Sequence, residues 1–196
     1  MTTYLFIDGE NFTHKLEDAL IQQGIEKKKI DSIHVDLKKL IALALPSEHI
    51  TKSTFYAAKL HIHEASRAKS LKLIQEQRIL KTNLEKQGFA FVLAGNVRPQ
   101  KVTVDGKSKT IFREKGVDVR LAVDLISLSC DKAINRAIIC SSDSDLQPAI
   151  AETRKRGVEV VYLGFEISPN KGLTFTTNRT VLFRNSEISQ VVPVLK

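Results

Sequence analysis

The sequence predicts an α/β fold in which a mainly parallel central sheet is flanked by helices. Three observations carry that expectation. Short apolar runs alternate with helix-length segments along the chain. Two of the apolar runs, "TYLFIDGEN" and "RAIICSSDSD", drive straight into acids, as strands do when their carboxyl ends form a ligand-binding rim. Helix-length segments stop at Gly24 and Gly88, where glycine favours the left-handed turn that ends a helix.

The elements follow in order. "TYLFID" is the first strand, and "FTHKLEDALIQQG" has helical spacing up to Gly24. After the charged connector "KKKID", the stretch "IHVDLKKLIALAL" reads as a second helix with Pro46 just beyond it. "KSTFYAAKL" is the next strand. A long helix is expected from about Ile62 to Gln87, studded with lysines and arginines on what reads as a solvated face. "GFAFVLAGN" is a third parallel strand.

"VRPQKVTVDGKSKTIFREKG" departs from this alternation. Asp105-Gly106 between "KVTV" and "KSKTIF" predicts a β-hairpin near 101–112. It is the densest basic segment, with Arg98, Lys101, Lys107, Lys109, Arg113 and Lys115. Such a hairpin either grips a phosphate backbone or is an ordinary solvated excursion.

"VDVRLAVDLISLSC" reads as a largely buried helix and "RAIIC" as a strand. "LQPAIAETRKRG" is a helix with a basic end that complements its dipole. "VEVVYLGF" is a further strand, and the tail adds an edge strand and a short closing helix at about 172–192.

At 196 residues the chain is expected to form one domain, 1–196. A net charge of +8 and a pI near 9.5 favour an anionic partner, nucleic acid before a membrane surface. The two cysteines, Cys130 and Cys140, form no disulfide framework and no paired zinc motif. Cys140 in "AIIC" reads as a buried free thiol. A reducing, cytoplasmic setting is expected. "MTTYLFIDGE" is not a signal peptide, and no apolar run approaches the roughly 20 residues needed to span a bilayer.

The acids carry the chemistry. Asp8 follows the first strand, Asp143 and Asp145 follow "RAIICSS", and Asp118 opens the helix after "KG". Neighbouring strands would bring Asp8 and Asp143 together on one rim. Converging carboxylates repel, and a divalent cation, Mg²⁺ or Mn²⁺, is the usual resolution. Each acid also has a plainer role open to it. Asp143, Ser144 and Asp145 suit a helix cap, Ser144 and Gln147 have capping-box spacing, Asn11 suits the cap of the first helix, and Asp118 complements a dipole. Asp124 points about 120° away from Asp118 on a regular helix and is a supporting candidate. His61 and His63 in "HIH" resemble a metal pair, but without a third ligand they read as exposed structural histidines.

Taken together, "YLFIDGEN", "KGVDVRLAVDL" and "AIICSSDSDLQPAIAETRKRGVEVVYLGF" resemble the three signature blocks of the NYN domain family, LabA-like group, within the PIN-like ribonuclease fold. The blocks stand in family order across about residues 3–165, and the third is the most distinctive. The resemblance implies a three-layer fold with a four- or five-stranded parallel sheet and an acidic pocket at one edge. It implies metal-dependent RNA cleavage, with Asp8, Asp118, Asp143 and Asp145 as catalytic, metal-binding carboxylates. It places Asn11 and Ser142 beside them, and Lys115 and Gly116 complete the second block. The hairpin looks longer than the family pattern needs, so it is expected as an insertion.

The expected reaction is phosphodiester hydrolysis by a metal-activated water, with the basic hairpin holding flanking phosphates for affinity rather than sequence choice. RNA is the expected partner, with DNA and a homodimer left open. With aromatics at 6% and no tryptophan, extended base-stacking platforms are not expected. Two other classes compete. One is a non-catalytic nucleic-acid-binding or scaffold module on the same fold. The other is a phosphohydrolase of the haloacid dehalogenase type, which expects a second Asp where this chain has Glu10. A dinucleotide-binding fold lacks its GxGxxG fingerprint here.

Overall fold

Strand β1 (Thr3–Asp8) shows how the layers arise. Leu5 and Ile7 enter one buried apolar cluster, and Phe6 enters another, because successive strand side chains point to opposite faces. The computed structural model describes residues 1–104 and 107–195, and their side chains except for 65, 98–104, 107–111 and 113.

The other strands are β2 (Lys52–Lys59), β3 (Ala90–Val104), β4 (Lys107–Lys115), β5 (Arg136–Cys140), β6 (Glu159–Phe165) and β7 (Arg179–Phe183). They form a seven-stranded sheet in the order β4-β3-β2-β1-β5-β6-β7. All neighbours are parallel except β3 and β4, which pair antiparallel from Asn96↔Lys115 to Val104↔Lys107. The sheet is thus mixed and wider than the four or five parallel strands the resemblance implies. The extra width comes from β4 beyond β3 and β7 beyond β6. The turn expected at Asp105-Gly106 lies outside the described residues.

Helices α1 (Gly9–Gln22), α2 (Leu37–Ala44), α3 (Arg67–Lys86) and α7 (Asn185–Ile188) cover one face. They contribute Leu16, Leu20, Leu40, Leu84 and Ile188 to the first cluster. Helices α4 (Val117–Cys130), α5 (Gln147–Lys155) and α6 (Lys171–Thr176) cover the other with Leu121, Leu125, Ile150 and Leu173. Leu16 is fully buried, so truncating it to Ala removes about 2–5 kcal/mol of stability.

Local caps move several boundaries away from the sequence expectation. α1 begins at Gly9 because Asp8 itself caps it, accepting from Asn11 N–H at 3.2 Å. α2 begins only at Leu37, because the Asp36 side chain caps it through Lys39 N–H at 3.0 Å. The preceding "SIH" is a separate short 3-10 turn capped by Asp31. α3 starts at Arg67, not near Ile62. α4 is half-buried rather than largely buried: Val119 is 60% and Val123 53% exposed. After α7, the chain returns to residues 29–36, with Ile30 bridging Val194 and Asp36 N–H donating to Val191 O at 3.0 Å. No helix among the described residues is long and apolar enough to cross a membrane.

Candidate active site at the β1–β5 switch

Strand order reverses between β1 and β5. From β1 the chain steps outward through β2 to β3, and later returns to β1's other side as β5. The two strands run parallel with Ile7 opposite Cys140, so Asp8 and the "SSDSD" loop leave the sheet at the same end. Loops diverge there, and a crevice opens at the carboxyl ends.

Gly9 is required beside Asp8 for space. A Cβ there would stand 2.3 Å from the Phe55 ring and 2.6 Å from Tyr56 O. Its part is close approach of α1 to β2 rather than a special turn conformation. On the opposite wall, Gly95 adopts φ +61°, and a Cβ would meet Lys115 O at 2.2 Å. That contact seats the "KG" step that launches α4, whose first turn carries Asp118.

Asp8 is 6% exposed. Its Oδ1 accepts from Asn11 N–H, and its Oδ2 accepts from Ser141 Oγ at 3.0 Å. The same Ser141 hydroxyl accepts from Asp143 N–H at 3.1 Å. Asn11 does not cap the helix; its Oδ1 accepts from Ser142 N–H at 2.9 Å and ties α1 to the β5 loop. Asn170 Nδ2 donates to Ser142 O at 2.8 Å from the other side. Burial raises the Asp8 pKa above the ordinary carboxylate range; the two hydrogen bonds oppose this, and the charges of Asp143 and Glu10 add to it.

Asp8, Asp118 and Asp143 line one cavity of about 620 Å³ with Glu10, Glu114 and Lys115. Glu10, which the sequence leaves without a role, therefore faces the cavity. Glu114, on β4, lies outside every block that the resemblance marks. Burial pushes its pKa to about 8, with the charges of Glu10 and Asp8 and a hydrogen bond with Glu10 adding to the rise. Asn11, His14, Lys15 and Asp18 of α1 add to the lining, with Gly116 and Val119. The spacing of His14, Lys15 and Asp18 along one helix face was the available signal, but no motif marks it.

Asp145 is not among the lining residues of this cavity. It lines a neighbouring hollow with Gln147 and Thr176, and its N–H donates to Asp143 Oδ1 at 2.9 Å. Asp143 caps the 3-10 turn Ser144–Leu146; Gln147 reaches back to Ser144 O rather than completing a capping box. Asp124 accepts from Tyr56 Oη at 3.0 Å and from Arg120 Nε at 2.8 Å, which braces α4 against β2. Cys140 is buried beneath Asp8, and burial raises its thiol pKa, so it stays a protonated, unreactive thiol. His63 is half-buried rather than exposed, and His61 bonds Asn96 at 3.0 Å. Of the basic residues expected to hold phosphates, Lys115 faces the cavity; the side chains of Arg98, Lys101, Lys107, Lys109 and Arg113 lie outside the described residues.

The NYN domain family model matches residues 2–181. The chain belongs to the NYN domain family. NYN domains are generally nucleases, so the family carries a hydrolase-type, nuclease-like fold. The fold is similar to that of a protein of unknown function from Vibrio parahaemolyticus, with a TM-score of 0.54 and 17% identity over 92% of this chain and 91% of that one. No curated protein matches this NYN chain.

Six acids line the cavity, Asp8, Glu10, Asp18, Glu114, Asp118 and Asp143, and carboxylate oxygen is the chemistry that suits Mg²⁺ or Mn²⁺ rather than a softer metal. Among the described residues, no group of three or more His, Cys, Asp or Glu is disposed to hold a metal ion as it stands.

Proposed function

We propose that this NYN domain is a metal-dependent ribonuclease that hydrolyses phosphodiester bonds at the β1–β5 crevice. The observation that carries the reading is that Asp8, Asp118 and Asp143, from three separate sequence blocks, line one cavity. Asp8, Asp118 and Asp143 are the residues that would hold the cation, with Asp145 outside their cavity. When bound, Mg²⁺ or Mn²⁺ makes water a better nucleophile and offsets charge growing on the phosphoryl oxygens.

The chain's own residues prepare that site. Ser141 donates to an oxygen of Asp8, which opposes the rise that burial gives its pKa. Asn11 fixes the loop that carries Asp143. Lys115 offers a positive charge on the cavity wall for a flanking phosphate. A +8 chain attracts a polyanion as a whole, while the acidic cavity repels it unless a cation intervenes.

The test incubates RNA, single-stranded and structured, with Mn²⁺, Mg²⁺ or EDTA. Cleavage is expected with metal only, and Asp8→Asn and Asp143→Asn lose more than the roughly 10–100-fold typical of outer partners of a metal site. Cleavage that persists in both variants, or none on RNA or DNA with any metal, overturns the reading.

A non-catalytic RNA-binding module is the second reading. The observation in its favour is that, among the described residues, no group of three or more acids stands at metal-ligand spacing. Metal-independent RNA affinity without turnover is its outcome in the same experiment.

A further inference from the structure

A second cavity, of about 350 Å³, adjoins the acidic one. Glu10, His14 and Glu114 line both, so the two form one continuous surface. Their chemistry differs. In the second, Phe55 and Phe91 stack with ring centroids 5.5 Å apart, and Ile33, Leu73 and Leu80 line the walls. Phe91, Leu73 and Leu80 are only half-buried, which leaves apolar surface in contact with water. That surface gains free energy when a flat, apolar-faced group covers it.

The polar atoms around this cavity select further. Gln77 Nε2 donates to Ala58 O at 2.8 Å, which fixes the amide with Oε1 as its remaining acceptor. Glu17, which pairs with Lys27 and accepts from Ser32 Oγ, and Glu76, which pairs with Lys72, add carboxylate oxygens whose charge those lysines offset, while no Lys or Arg is among the described lining residues. A phosphate is therefore disfavoured here. A neutral ring with exocyclic amino donors is favoured, and that is the chemistry of a nucleobase.

We infer that this cavity takes one unstacked base of the RNA strand, next to the phosphate that lies over Asp8, Asp118 and Asp143. The inference rests on the nuclease reading of the acidic cavity. It turns a phosphate-directed site into one with a single-strand requirement, because a base enters a side cavity only when it leaves its stack.

The experiment is an abasic scan. Short single-stranded RNAs, each with one abasic ribose, are titrated against the native protein with Ca²⁺ in place of Mg²⁺ or Mn²⁺ to hold back turnover, and affinity is read by fluorescence anisotropy. One position is expected to weaken binding by about tenfold or more, the scale of a lost base contact, with little effect elsewhere. Leu73→Trp and Ile33→Trp, which fill the cavity from different elements, are expected to weaken the intact RNA and flatten the profile. A flat profile in the native protein, a sharp profile that survives both fillings, or no RNA binding overturns the inference. Should either variant misfold, the native profile alone decides. Cleavage separates the two readings. Metal-dependent cleavage with a flat profile overturns the base cavity and leaves the nuclease standing. A one-position profile with no cleavage in any metal overturns the nuclease and supports the base cavity.

Discussion

Ser141 Oγ donates a 3.0 Å hydrogen bond to Asp8 Oδ2, joining the loop after β5 to the end of β1. The same oxygen accepts from Asp143 N–H, so one hydroxyl orders two of the proposed metal-binding acids. Ser141→Ala leaves both partners without it in a buried place. The expected cost is about 1–3 kcal/mol in urea denaturation. The bond also holds the Asp8 pKa below where burial alone would take it. Its loss raises that pKa further, so the acid limb of the cleavage profile moves to higher pH. A destabilised variant with an unmoved acid limb would show that Ser141 serves the fold and not the carboxylate.

Metal linkage gives a prediction that does not need turnover. A cation that binds only the folded chain stabilises it by about 2.7 kcal/mol at a hundred times its Kd. The native protein is expected to melt higher as Mn²⁺ is added, and EDTA to reverse the gain. Asp8→Asn and Asp118→Asn lose most of the Mn²⁺ dependence. Asp145→Asn, outside their cavity, keeps it. Equal losses in all three would put Asp145 back among the ligands.

What the sequence could and could not reveal divides along physical lines. "TYLFID" and "RAIIC" are buried on both faces, so their apolar runs stand out; the first ends on Asp8, and the second runs through Ser141 and Ser142 to Asp143. Asp118 is legible because the chain dictates its place in a first helical turn. Glu114 is not, because only the antiparallel pairing of β4 with β3 turns it toward Glu10 and Asp8. Ser141 and Ser142 look alike in "SSDSD", yet burial separates them: the first faces Asp8, and the second ties to Asn11 and Asn170 through its backbone. The start of α2 is misread because Asp36 sits inside an apolar helical rhythm, and rhythm alone does not distinguish a cap from an interior position.

Glu114 makes the folded protein sensitive to alkali. Its pKa stands near 8 in the fold, through burial first and then Glu10 and Asp8, against an ordinary value of 4.5. Between those values the folded chain keeps a proton that the unfolded chain has released, so stability falls as pH rises through that window. Glu114→Gln removes the titration and keeps a neutral hydrogen-bonding group. In EDTA the variant is expected to exceed the native protein by about 1 kcal/mol at pH 9, a figure discounted for partial exposure, or about 2–4 °C in Tm. At pH 5 the two should agree. A variant less stable at pH 9 than the native protein reverses the predicted sign.

The opposite end of the sheet supplies the control. Glu48 accepts from both Arg136 and Arg179, and Arg136 also bonds Glu159. Arg136, Glu159 and Arg179 open β5, β6 and β7, and Glu48 lies in the segment before β2, all at the amino ends of the strands and away from the crevice. Burial pushes the Glu48 pKa up, but the bonds and charges of Arg179 and Arg136 outweigh it and hold the carboxyl below its ordinary value. A depressed carboxylate stabilises the fold above its unfolded pKa and loses that contribution as pH falls through the lower folded value. Glu48→Gln is therefore expected to cost about 1–2 kcal/mol at pH 7, since it leaves two guanidinium groups short of a charge partner and both are partly exposed. The difference from the native protein should shrink below pH 4. Cleavage per folded molecule should stay unchanged at a temperature where both are folded, because the change touches no group of the cavity. A variant that melts like the native protein at pH 7 would show that solvent screens this network, and a variant that melts lower and also loses cleavage would tie the two ends of the sheet together.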